Sequence, residues 1–134
     1  GAVATGAQAQ DLTPTQTYVD YRQAYLDGET YGEISGFLAP DVADAVDDSE
    51  KEMLFEFVQS IVKDSQGIKY LTESVDGDTA AVTGEVCMDG TMTGIYVDLI
   101  LDAGQWKILK DHWDNSGYMV PSKDDPNMKI PQKC

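Results

Sequence analysis

The chain has 134 residues, enough for one domain with a substantial core, and its 42% hydrophobic content separates it from disordered sequences. Nine Lys and Arg stand against 24 Asp and Glu, a net charge of −15. Nucleic acid and anionic membrane surfaces are therefore poor partners, since both demand clustered cations, and no apolar run reaches the roughly 20 residues needed to span a bilayer.

Residues 1–12 read as the remnant of an export signal or as a flexible leader. Ala7-Gln8-Ala9 has the A-x-A form of a signal-peptidase site, which points to a periplasmic or extracellular address. Thr13-Pro14-Thr15-Gln16 is a capping box with proline at the first helical position, and the helix it opens should stop at Gly28. Tyr18, Tyr21 and Tyr25 share one face of that helix. A second box, Thr30-Tyr31-Gly32-Glu33, opens a short helix with Ile34, Phe37 and Leu38 inward, ended by Pro40. Asp41 can cap one more short turn through Val42 and Val46. The third box, Ser49-Glu50-Lys51-Glu52, precedes the most periodic stretch, in which Met53, Leu54, Phe57, Val58, Ile61 and Val62 form one apolar stripe.

Four β-strands follow: Ile68–Ser74, Thr79–Met88, Thr91–Leu101 and Gln105–Trp113. Asp76-Gly77 and Asp89-Gly90 are strong hairpin signals, and Asp102-Ala103-Gly104 fits a three-residue hairpin loop. The expected architecture is α+β: three N-terminal helices packed on one face of a curved, four-stranded antiparallel meander. Ile95, Val97, Leu99 and Leu101 alternate toward the helices. If Leu101 pairs with Gln105, the opposite face gathers Tyr96, Ile100, Trp106 and Ile108, a patch suited to a homodimer or to cover by the tail. A bulge in the fourth strand would exchange its faces. Residues 114–134 carry Gly117, Pro121, Pro126 and Pro131 without period and read as an extended tail. In an exported protein Cys87 and Cys134 would be expected to pair; two free thiols are the alternative.

The segment from Asp76-Gly77-Asp78-Thr79 through Met88-Asp89-Gly90 and Gly104-Gln105-Trp106-Lys107-Ile108 to Trp113, preceded by these helices, resembles the nuclear transport factor 2-like (ketosteroid-isomerase-like, cystatin-like) superfamily, in particular its small exported bacterial members. The likeness covers residues 13–113. It implies a cone: a bent sheet wrapped around the first helix, with a pocket between them. Members include isomerases and dehydratases as well as non-catalytic binding domains, and many dimerise through the open sheet face.

In such a pocket Tyr18, Tyr21, Tyr25, Phe37 and Phe57 would form the lining and accept a flat apolar molecule; plain core packing is the alternative. Asp98 and His112 are weak acid–base candidates. Asp98 falls on the face away from the helices, where an ion pair with Lys110 or Lys107 is the plainer role, and adjacent strand residues such as Asp111 and His112 point to opposite faces. One histidine and no C-x-x-C pair leave no metal or cofactor set. The expected function is a non-catalytic exported domain binding a small apolar ligand or a partner protein in or beside the pocket. The alternatives are an isomerase- or dehydratase-type enzyme and a structural or assembly subunit using the sheet face and termini.

Overall fold

The computed structural model describes residues 12–134; the A-x-A motif lies outside the described residues. Helix α1 (Pro14–Asp27) is followed by two short helices, α2 (Gly32–Ser35) and α3 (Pro40–Asp44), and by α4 (Lys51–Asp64). Strands β1 (Lys69–Asp76), β2 (Thr79–Met88), β3 (Thr91–Asp102) and β4 (Gln105–Asp114) form an antiparallel sheet in the order β1-β2-β3-β4. The fold is α+β, with the helices N-terminal to the sheet.

Helix α1 starts where the capping residues place it. Thr13 accepts a hydrogen bond from Gln16 N at 3.0 Å, and Glu73 of β1 takes the amide of Thr15 at 2.9 Å, a carboxylate at the positive end of the helix. The third expected box does not form. Glu50 precedes α4 without a side-chain cap, and Glu52 turns instead to the amide of Tyr31. Helices α1 and α4 finish each other. Gln59 Nε2 donates to the carbonyls of Tyr25 and Gly28 at the end of α1, and Arg22 donates to the carbonyl of Ser65 at the end of α4.

All three hairpins close through two residues. Asp89 and Gly90 both have positive φ, as do Ala103 and Gly104, the pattern of type I′ turns. At Gly77-Asp78 only the glycine does, the pattern of type II′. The third loop is therefore one residue shorter than expected, and Asp102, not Leu101, pairs with Gln105. That shift turns Trp106 and Ile108 toward the helices, opposite Leu101 and Leu99.

A bulge at Leu109 then reverses the phase. Asp98 pairs with Lys110 while Leu99 pairs with Ile108, so beyond the bulge Asp111 and Trp113 face the helices and Lys110 and His112 face away. The expected oligomer patch is thereby split. Ile108 is buried in the core and Trp106 packs half-buried against it, leaving only Tyr96 and Ile100 on the outer face. Phe37–Ala39 runs along the edge of β4 at the bulge, with hydrogen bonds of 2.7 Å from Ile108 N to Phe37 O and 2.8 Å from Ala39 N to Ile108 O.

The core lies between α1 and the inner sheet face: Tyr18, Ile34, Phe55 and Val62 meet Val82, Val86, Ile95, Val97, Leu99 and Ile108. Gly84 on this face leaves room for Ile68 and Leu71, whose methyls would lie 2.9 and 3.1 Å from an added Cβ.

The tail is not merely extended. After a 3₁₀ turn at Ser116–Tyr118, β5 (Met119–Pro121) and β6 (Lys129–Pro131) pair as a small ribbon. The chain then reaches the start of β3, where Met92 N donates to Gln132 O at 2.8 Å, and the Cys87–Cys134 disulfide anchors the end. β4 leaves β3 at Gly94, so the tail satisfies an edge that β4 does not reach.

Candidate functional site

The three tyrosines of α1 point into the fold and are all buried. Their hydroxyls need partners there. Tyr18 Oη donates to Asp111 at 3.1 Å and accepts from Arg22 Nη1 at 3.2 Å, and Tyr21 Oη lies 3.5 Å from Tyr25 Oη. Arg22 Nη2 also reaches the carbonyl of Ser65 at 2.7 Å and its hydroxyl at 2.9 Å. A relay thus runs from the end of α4, through Arg22 and Tyr18, to the Asp111 carboxylate on β4. The guanidinium sits at the negative end of α4, where a cation is favoured.

Burial dominates the electrostatics. It raises the Tyr18, Tyr21 and Tyr25 hydroxyls above the ordinary phenol value. It also pushes the Asp111 carboxyl up to about 6, against the opposing pull of Tyr18, Arg22, Trp113 and His112. Trp113 Nε1 is buried without a hydrogen-bond partner; its dipole favours the carboxylate without closing a bond to it.

This has a consequence for stability. The folded carboxyl keeps its proton to about pH 6, the unfolded one only to about pH 4. Between those limits the native state binds more protons, so stability falls as pH rises, by up to about 1.4 kcal/mol per pH unit. Asp111→Asn should flatten that slope. Urea midpoints at several pH values between 4 and 6.5 check it, and equal slopes in both proteins would remove Asp111 as the cause.

Beside the relay lies a half-open inner cavity of about 160 Å³, walled by Tyr21, Tyr25, Tyr31, Ile108 and Asp111 and bordered toward α3 and α4 by Val46 and Leu54. Val46 and Leu54 also border a second, more open space outside it. This groove of about 430 Å³ runs between α4 and the α3–α4 connection at Ala45 and Val46, and is floored by Met53, Leu54 and Phe57.

The expected lining residues are thus distributed over different places. Tyr21 and Tyr25 line the inner cavity; Tyr18 is behind it in the relay. Phe37 packs edge-on to Tyr21 at 6.0 Å and borders a separate depression with Trp106. Phe57 is 62% exposed and lines the outer groove, and Phe55 takes the inward place expected of Phe57, its ring stacked 5.2 Å from Tyr25. Asp98 and His112 are both exposed on the outer face, opposite Lys110 and Tyr96 respectively, away from the cavity. The inward carboxylate is Asp111; the shorter loop and the bulge each shift the strand by one residue and cancel there, so Asp111 keeps the helix-facing phase that pairing Leu101 with Gln105 implied, although only its neighbour His112 was singled out. No cluster of three potential metal ligands occurs among the described residues, and no described helix is long and apolar enough to cross a membrane.

Set against models of known protein families, characterised proteins and solved structures, the chain matches none of them. The site must therefore be read from its own chemistry. It offers a small, mostly apolar cavity that three tyrosines border, with one carboxyl whose pKa is raised to about 6, and a larger apolar groove immediately outside.

Proposed function

We propose that this chain is a non-catalytic binding domain that holds an apolar group of a ligand or partner in the α3–α4 groove beside the inner cavity. The orientation of α4 carries this reading. Phe55 and Val62 fill the core, but three other large apolar residues of α4 are left to solvent: Met53 is 67% exposed, Phe57 62% and Leu54 36%. Contiguous apolar surface left toward water on a soluble chain marks a binding surface. Size favours the groove over the cavity. About 160 Å³ falls short of the roughly 300 Å³ of ordinary ligand sites, whereas about 430 Å³ is within their range.

The same reading places the protein in an oxidising, exported compartment. The Cys87–Cys134 disulfide supports this, because such bonds persist where thiols are not kept reduced. Kinship with the nuclear transport factor 2-like superfamily is part of the proposal. It rests on the order of helices and strands and on a tyrosine-bearing first helix packed against the inner sheet face.

Nile red, a neutral dye that the −15 charge does not repel, tests the groove directly. It should show saturable fluorescence enhancement with the wild-type chain and lose it with Phe57→Asp. Equal enhancement in both proteins, or none in the wild type, would reject the groove as a binding site.

A second reading, acid–base catalysis of the isomerase or dehydratase kind, is favoured by one observation: the Asp111 carboxyl borders the cavity with its pKa near 6. Against it, that carboxylate is already engaged by Tyr18. Phenol binding that is lost in Asp111→Asn but kept in Phe57→Asp would favour this second reading.

A further inference from the structure

We infer that the occupant of the α3–α4 groove is a positively charged amphipathic helix of another protein. This inference rests on the groove-binding reading above and names the partner.

The first reason is shape. Met53, Leu54, Phe57 and the half-buried Ile61 form a strip along one side of α4, spanning nine residues, or about 12 Å of helix. That is an open furrow rather than a pit, and it matches about two turns of a partner helix laying down residues at i, i+3, i+4 and i+7. Methionine suits such a surface because its flexible thioether adapts to differently shaped side chains.

The second reason is charge. Between residues 40 and 57 the sequence carries seven carboxylates, all exposed, and a single cation, Lys51. Lys51 is already paired with Asp48 at 2.7 Å. Glu50 borders the groove itself, and Asp44, Asp47 and Glu56 flank its apolar residues in sequence. An apolar strip within an acidic stretch complements a strip of leucines edged with lysines. A second copy of this chain is the wrong partner, because each copy brings a charge of −15 and the same acidic stretch. An uncharged small molecule would leave those carboxylates without a role.

The test uses the whole chain and a fluorescein-labelled 14-residue peptide of leucine and lysine, with the leucines at helical spacing, followed by fluorescence anisotropy. Two controls are a scrambled peptide of the same composition and a version with glutamate replacing lysine. The expected result is saturable binding that weakens about tenfold or more for both controls and for Phe57→Asp, in keeping with the cost of losing a central apolar anchor. Binding should also weaken as salt is raised from 50 to about 500 mM, because the charges are exposed. Phe57 faces solvent, so Phe57→Asp should keep the far-ultraviolet circular dichroism of the parent; if it does not, Met53→Glu replaces it. Equal binding of the scrambled peptide, or binding indifferent to these substitutions, would overturn the inference. So would sedimentation showing a dimer that Phe57→Asp dissolves. If Nile red binds and the peptide does not, the helical partner falls and the groove stands; if neither binds, both fall.

Discussion

Replacing Arg22 with alanine should cost about 3–5 kcal/mol of stability, the range seen when one member of a buried charged network is removed. Arg22 is 6% exposed, and its guanidinium serves three partners: the Tyr18 hydroxyl, the Ser65 carbonyl and the Ser65 hydroxyl. Without it the Ser65 carbonyl becomes a buried acceptor with no donor, which alone costs about 1–3 kcal/mol. The α4 terminus also loses the cation that opposes its dipole. Further along, Asp111 loses favourable charge and its carboxyl should hold a proton still more tightly. Arg22→Met retains most of the side-chain volume and should recover little, because the loss is polar. Urea unfolding of both variants measures this. A change below about 1 kcal/mol for Arg22→Ala would show that water can replace the guanidinium and that the relay does not bind α1 to α4.

The second large effect concerns the tail. Opening the Cys87–Cys134 bond, with a dithiol or by the double substitution to serine, should remove up to about 4 kcal/mol, the chain-entropy value for a bridge between cysteines 47 residues apart. The loss should also be uneven in space. Beyond the bridge the tail is held at the start of β3 by few bonds, Met92 N to Gln132 O at 2.8 Å and Cys134 N to Gly90 O at 3.2 Å, and every residue of β6 is exposed. So little burial cannot offset the entropy of ordering that segment. Amides of the ribbon and of Met92 should exchange with solvent roughly 100-fold faster after reduction, while Val82 and Val97 in the core keep most of their protection. If the ribbon stays protected in the reduced protein, the bridge is a passenger and the tail is held by its own pairing.

Much of the framework was legible in the residues. Asp-Gly pairs announce hairpins because their backbone tolerates positive φ, and β1 to β4 lie within two residues of their expected limits. The tyrosines of α1 are spaced for one face, and that face is buried. What escaped the reading depends on small local choices. Ala103 has no sequence mark that demands positive φ, so the third loop looked longer than it is. Nothing in Ile108-Leu109-Lys110 announces a bulge, since all three residues suit either face of a strand. Helix α4 carries apolar side chains around much of its circumference, so periodicity alone does not say whether Phe55 or Phe57 turns inward.

By itself, then, the sequence determined the class of fold, the order of its elements, the buried tyrosine row and an acidity that turns away polyanions. These follow from turn chemistry, period and charge, which act over a few residues or over the whole chain at once. Only the tertiary structure decided that Trp106 and Ile108 face inward, that Arg22 joins the ends of two helices, and that Phe57 is left to solvent. Those outcomes depend on register and on which of two similar surfaces packs first against the sheet, and such choices are made between segments far apart in the chain.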